Sequence, residues 1–491
     1  MVDKYLKIIY DDYYDINRTI NLMCDMDVIK FVYFLSQNDF HDEKMDDIVE
    51  MFKDARRKDI DEMIHNSSDD SFFSARSTLH FTYPLGETLK KLDVLYEITG
   101  SDLWEKIFGY SYDMFNAVIT VILCRIILFY NYYRTIEDND EKKEFEERNP
   151  LVRECYLTKE EIYKYFNGFT TEIDLILNDI SIKYSDIKQL KDVYRIINND
   201  GHYYLFFIWD FLYNLYNIYS KRIKDYLGND KFSDIRGKAF ENVCFKNLEL
   251  CFPNSKKYQS LQYDYKKGNH EIDILMELEN TIIVFECKSG AFDVYDFDNN
   301  DELYEEFRKV FGNGYKTIND LNKYIKEGNN CFRTKNGKTV NIDLKGKKVI
   351  YINLSLYNIE FMQTNIQKIK SEKLKKVEVY PICWNYIDFL TLTQVACVDY
   401  NLFEQYLIKR FEIINNNKNL TLDYDEVDVF GLLTDPDQIE FVNKYLLKVS
   451  KDSANIDMNF MISNAIYRRE FNDGLNRRFL MGFIYKSTKD D

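Results

Sequence analysis

Residues 271–290 read EIDILMELENTIIVFECKSG, and the charge placement in this stretch decides the fold. Ile282–Phe285 is an unbroken apolar run, as a buried strand requires. Glu286 and Lys288 then interrupt it with only Cys287 between them, and Asp273 stands upstream. Side chains alternate across a strand, so Glu286 and Lys288 project from one face and Cys287 from the other. The segments 271–278 and 281–287 are spaced as the arms of a hairpin. That arrangement sets the start of one strand beside the end of the next, and predicts that Asp273 lies near Glu286.

Two converging carboxylates repel unless positive charge lies between them. Mg²⁺ or Mn²⁺ suits such a pair, being hard and oxygen-ligated and often held by one or two carboxylates with phosphate and water. The backbone carbonyl of Cys287 offers a further oxygen. An ion there polarises a scissile phosphate and lowers the pKa of a bound water. Lys288, aimed at the same spot, would orient that water or stabilise the transition-state charge. Upstream, the helical segment RGKAFENVCF (236–245) would pack Ala239, Phe240 and Val243 on the sheet. Glu241 would flank that face and reach the metal directly or through water.

Working outward, strand-like runs fall at 258–266, 271–278, 281–287, 347–354 and 377–383, with helical segments near 301–311 and 315–327. This order predicts a mixed α/β sheet flanked by helices, an α+β chain overall. Residues 1–228 read as a mostly helical regulatory or assembly region with a sub-boundary near 140–150. Residues 229–400 read as the sheet domain, its first helix starting at Ser233 or Asp234 after a linker, and 401–491 as a helical C-terminal region. The chain of 491 residues, 45% hydrophobic and 30% charged, suits a globular protein of two or three domains. Its 40 Tyr and 36 Phe against 17 Gly and 5 Pro favour long packed helices, although an AT-rich coding bias gives the same signature.

The nine cysteines show no C-x-x-C spacing, which argues against zinc and for free thiols in a reducing cytoplasm. The apolar stretch 115–133 carries Arg125 at its centre and reads as a buried helix rather than a membrane span. The net charge of −17 repels a polyanion, so contact with nucleic acid needs a local basic surface. Residues 329–376 supply one: Lys335, Lys338, Lys345, Lys347, Lys348 and further basic residues face only Asp343, Glu360 and Glu372. A solvated face is the alternative reading of that run. The acidic run 292–306 reads as a solvated loop or a lid. The pairs Arg468/Arg469 and Arg477/Arg478 read as a groove extension or as surface ion pairs. His202 and His270 read as structural or surface residues.

GKAFE on a helix, then EID, then a strand ending FECKSG resembles the PD-(D/E)xK nuclease superfamily, in its Mrr-like and nuclease-related-domain form, over residues of about 230–400. The resemblance implies a restriction-endonuclease-like fold. It assigns Asp273 and Glu286 as metal-binding acids, Lys288 as the motif lysine and Glu241 as the acid of the first helix. Ile272 replaces the proline that names the family. Where many members carry Gln or Lys on the following helix, this sequence has Lys316 and Thr317. The implied activity is Mg²⁺- or Mn²⁺-dependent hydrolysis of phosphodiester bonds, with DNA the expected substrate and defence against phage the expected setting. The large flanks suggest a homo-oligomer or a regulatory protein partner; no membrane contact is expected. A catalytically silent scaffold of the same fold is the competing expectation.

Overall fold

The computed structural model describes residues 84–122, 156–166, 168–187, 195–266, 268–290, 314–357, 361–364, 366, 377–398, 400–416, 420–421, 426–434 and 454–455. They divide into two units, with the boundary between Phe232 and Ser233. The expected helix near 301–311, the acidic run 292–306, the sub-boundary near 140–150 and the C-terminal arginine pairs lie outside the described residues.

In the first unit, helix α1 (Pro84–Phe108) packs on a helix at Ile208–Leu227. The tyrosine and phenylalanine content becomes a core here. Trp104 stacks on Tyr219 at 5.5 Å and meets Phe108, Tyr112 and Phe115. The hydroxyls of Tyr110, Tyr112 and Tyr219 are hydrogen-bonded, as buried tyrosines require, whereas Trp104 Nε1 is buried without a hydrogen-bond partner. The Tyr110 and Tyr219 hydroxyls lie 2.7 Å apart, and Tyr110 donates to Asp179 of helix α2 (Thr170–Ile180) at 2.7 Å. Phe115, Val118, Ile119 and Ile122 are buried, while the rest of the apolar stretch to 133 lies outside the described residues. Among the described residues no helix is long and apolar enough to cross a membrane.

The mostly helical expectation for this region misses a four-stranded sheet of β1 (Tyr156–Thr158), β2 (Ser181–Lys183), β3 (Ile196–Asn199) and β4 (His202–Tyr204), in the order β1-β4-β3-β2. Strands of three or four residues are too short for alternation to register in a sequence.

Gly228, at φ 86°, ends the helix Ile208–Leu227 (α3), and α4 (Asn229–Cys251) begins at once. There is thus no linker, and the helix starts before the expected Ser233 or Asp234.

The second unit is built on a seven-stranded mixed sheet in the order β11-β10-β7-β6-β5-β8-β9. Its strands are β5 (Lys256–Tyr265), β6 (Gly268–Glu277), β7 (Thr281–Lys288), β8 (Cys331–Arg333), β9 (Thr339–Asn341), β10 (Lys348–Ser355) and β11 (Ile382–Asn385). β5, β6 and β7 form an antiparallel meander, and β10 and β11 then add parallel to β7. Helix α5 (Gly314–Lys326) packs Ile318, Leu321 and Tyr324 into a core with Ile282, Val284 and Tyr351. Phe285, on the opposite face of β7, meets Trp384 and also Phe389 of α6 (Tyr386–Val398). Covered on both faces, β7 needs its unbroken apolar run.

Three further differences from expectation concern this unit. Helix α7 (Tyr400–Asn416), expected in a separate C-terminal region, belongs with the sheet. Its buried Glu404 accepts from Asn280 N at 2.9 Å and Thr281 Oγ1 at 2.8 Å, pinning the β6–β7 turn. The run 377–383 forms a strand only from Ile382. Pro381 has no N–H for a ladder, and the amides of Glu378 and Tyr380 are taken by the side chains of Asn319 and Asn415. The β8–β9 hairpin lies in a stretch for which no strand is expected, although Asn336-Gly337 is a hairpin turn signal.

Candidate active site

The β6–β7 ladder ends at the pair Ile274–Phe285. Beyond it, β6 keeps pairing with β5 through Leu261–Ile272 and Gln262–Glu271, while β7 keeps pairing with β10 as far as Ser355–Lys288. The two central strands therefore part like the arms of a fork. Continued antiparallel pairing would direct the Cys287 N–H to the carbonyl of Ile272. It donates instead to Asp273 Oδ2 at 2.7 Å, so the Asp273 carboxylate closes the fork.

Glu286 and Lys288 share the face of Ile282 and Val284, and Lys288 Nζ donates to Glu286 Oε1 at 2.7 Å. Cys287 turns the other way, against Cys244 of α4. That neighbour and burial hold its thiol well above the usual value, so it is a buried hydrophobe rather than a nucleophile. Glu241 arrives from α4 and joins Asp273 and Glu286 in the wall of one cavity of about 520 Å³, together with Lys238, Asn269, His270, Glu271, Thr317 and Lys335. The sequence-derived trio of acids thus shares one space.

Burial drives the electrostatics. Glu286, only 5% exposed, has its carboxyl pushed up to about 8 by burial and then by the charge of Asp273, against the pull of Lys288. Burial also raises Asp273, and burial followed by the Asp273 charge raises Glu241. For Lys288 burial acts against the ammonium, but the carboxylates of Glu286 and Asp273 outweigh it and hold the group above its ordinary range. With Glu286 near 8, that carboxyl holds its proton at neutral pH unless a cation takes its place.

Lys238 and Ser260 are parts of the site that the motif residues do not include. Lys238 bonds to Glu241 one helical turn away, donates to Ser260 Oγ at 3.0 Å and lies 3.9 Å from Glu271 Oε1. Its i,i+3 spacing to Glu241 was a usable sign. Ser260 sits on β5 at the level of Asp273 with φ 55°, a left-handed backbone that costs a non-glycine residue about 1–3 kcal/mol. Nothing in its sequence context announces that conformation. His270 also lines the cavity, its ring stacked on Tyr263 at 5.1 Å. Gly268 leaves it room, since a Cβ there would lie 3.1 Å from Nε2.

The lysines read as a nucleic-acid surface separate. Lys335 lines the cavity, and Lys338 is exposed in the same hairpin turn. Lys316 is exposed on α5 beside the cavity residue Thr317. Lys347 and Lys348 stand at the opposite end of the sheet. Lys348 is level with Thr281, about 16 Å down the strand from Glu286 at about 3.3 Å per residue. They are engaged there, Lys347 with the Leu278 carbonyl at 2.8 Å and Lys348 with Glu412 at 2.7 Å. Lys345 lies in the turn leading into β10, at that same end. These three do not belong to the site.

Among the described residues no three His, Cys, Asp or Glu side chains gather closely enough to hold a metal ion. The expected convergence of four groups on one ion therefore reduces to an oxygen pair, Asp273 and Glu286, with Glu241 engaged by Lys238. Two carboxyl groups, one of which can exchange its proton for a cation, still fit a divalent ion that keeps most of its waters.

A family described as a domain of unknown function, DUF4143, matches residues 236–340, from α4 to β9. No curated protein and no solved structure matches the chain.

Proposed function

We propose that the second unit is a Mg²⁺- or Mn²⁺-dependent nuclease acting on DNA. The observation that carries this reading is the fork. It brings Asp273, Glu286 and Lys288 to one end of a buried strand, with Glu241 in the same cavity wall. A buried carboxyl pushed up to about 8 beside a second acid in a cavity wall supports a functional site there. Asp273 and Glu286 would hold the ion, with Glu241 joining directly or through water and the Cys287 carbonyl as a further oxygen. Bound there, it would polarise the scissile phosphate and acidify a water.

The chain's own residues do the rest. Asp273, locked onto the Cys287 amide, fixes the direction of β7 beyond the fork. Lys288 keeps a positive charge at neutral pH, next to the position where negative charge grows on phosphorus. In the hydrolysis, the water oxygen bonds to phosphorus and the bond from phosphorus to the sugar oxygen breaks. One proton passes to the departing oxygen and the other to solvent.

Plasmid and linear DNA incubated with Mg²⁺ test this reading, with Glu286→Gln and Lys288→Ala alongside. Cleavage that persists in both variants removes these residues from the reaction. A silent scaffold is the second reading, favoured by the lysine partners that already engage Glu286 and Glu241. Calorimetric titration with Mn²⁺ separates the two, because a scaffold has no use for an ion that Asp273→Asn and Glu286→Gln abolish.

A further inference from the structure

Lys238 and Lys335 come from distant parts of the chain, α4 and the β8–β9 turn, yet line the same cavity wall. The ammonium of Lys335 is held below its usual range, first by Lys238 beside it and then by burial. Glu241 and Glu271 draw on both lysines, yet the two ammonium groups still repel each other, and a phosphate seated between them would relieve that repulsion. The supports of the pair are specific. Ser260, in its left-handed backbone, accepts from Lys238 at 3.0 Å, and Glu241 and Glu271 hold the same ammonium from its other sides. Lys335 is carried by a tight hairpin turn in which Thr334 N donates to the Lys338 carbonyl at 2.9 Å and Gly337 adopts φ 75°. Lys238 is thus a fixed cation and Lys335 an exposed one, poised at the rim.

We infer that Lys238 and Lys335 form a phosphate subsite that grips the DNA backbone at a phosphate neighbouring the one to be cut. The subsite rests on the nuclease reading and adds the direction in which the strand leaves the acids: past α4 toward the β8–β9 hairpin. The pair positions substrate and takes no part in bond making. An ammonium acts on phosphate as a point charge, so Lys→Arg should serve at Lys335, while Lys→Gln should not serve at either position.

The test is equilibrium binding of a fluorescein-labelled DNA oligonucleotide to the full chain in EDTA, across a salt series, with Mg²⁺-dependent cleavage assayed in parallel. Each phosphate contact contributes about 0.9 to the slope of log K against log salt. Lys238→Gln and Lys335→Gln are each expected to lower the slope by close to one contact, with the double variant no weaker than either alone, since both serve one phosphate. Lys335→Arg is expected to retain it, and thermal midpoints check folding. An unchanged slope in both single variants, with cleavage intact, overturns the subsite and leaves the nuclease reading standing. A lowered slope with no cleavage by the parent chain overturns the nuclease reading and leaves the subsite. Absence of DNA binding in EDTA overturns the subsite, and absence of both binding and cleavage overturns both readings.

Discussion

The Asp273 carboxylate accepts the Cys287 N–H at 2.7 Å, in the place where the Ile272 carbonyl would stand in an unbroken ladder. One side chain thus replaces a strand partner at the point where the two central strands separate. Removing it leaves a buried amide unpaired, which costs about 1–3 kcal/mol. Asp273→Ala is expected to lose that much in urea unfolding and all cleavage. Asp273→Asn keeps an acceptor oxygen, so it should unfold within about 1 kcal/mol of the parent while cleavage is still lost. Equal destabilisation by the two variants would deny the capping role.

Glu286 titrates near 8 because it is buried beside Asp273. Its folded value lies above the ordinary carboxyl range, so between about 4.5 and 8 the folded chain binds more protons than the unfolded one and stability falls as pH rises. Each unit of such a shift corresponds to about 1.4 kcal/mol. In metal-free buffer the thermal midpoint should drop from pH 5 to pH 9, and Glu286→Gln should flatten the slope. A divalent ion competes with the same proton, so Mn²⁺ affinity should climb across this window and level off above 8. A midpoint that rises with pH would contradict the assignment.

Lys288 neutralises Glu286 directly at 2.7 Å. Lys288→Met leaves that carboxyl with an even higher pKa, so the chain should remain folded at pH 6 and weaken at pH 9. Cleavage should fall by about 10²–10³-fold, the cost of losing one preorganised charge at a transition state. Combining Lys288→Met with Glu286→Gln should cost much less than the sum of the single losses. Additive effects in that cycle would mean that the two residues act separately.

Ser260 holds φ 55° and accepts a hydrogen bond from Lys238 at 3.0 Å. Ser260→Ala and Ser260→Gly both remove the hydroxyl, but only glycine releases the backbone. Urea titration should find the glycine variant more stable than the alanine variant by about 1–2 kcal/mol, the left-handed penalty for an L-residue. Equal stability would place Ser260 in an ordinary strand conformation.

Much of the second unit was legible from residue order. The apolar period of β5, β6, β7 and β10 and the helical period of α5 are local patterns, and the observed strands follow them to within three residues. What was missed had either a faint local signal or none. β1–β4 are too short to alternate visibly, and the strands on either side of the Asn336-Gly337 turn are three residues each within a lysine-rich run. Lys347 and Lys348 belonged to the same basic run as Lys335, yet the chain passes from one end of the sheet to the other between them. Proximity in sequence says nothing about which end of a strand a residue occupies.

Residue order alone predicts the hairpin, the alternation that puts Glu286 and Lys288 on one face, and the approach of Asp273 to the end of β7. All three follow from the two-residue repeat of a strand and the reversal of a hairpin. The opening of the ladder after Ile274–Phe285, the left-handed backbone of Ser260 and the meeting of Lys238 and Lys335 at one cavity come from the assembled fold. Those features arise where the preference of β6 for β5 competes with that of β7 for β10, and such a competition between distant strands leaves no trace in any single stretch of chain.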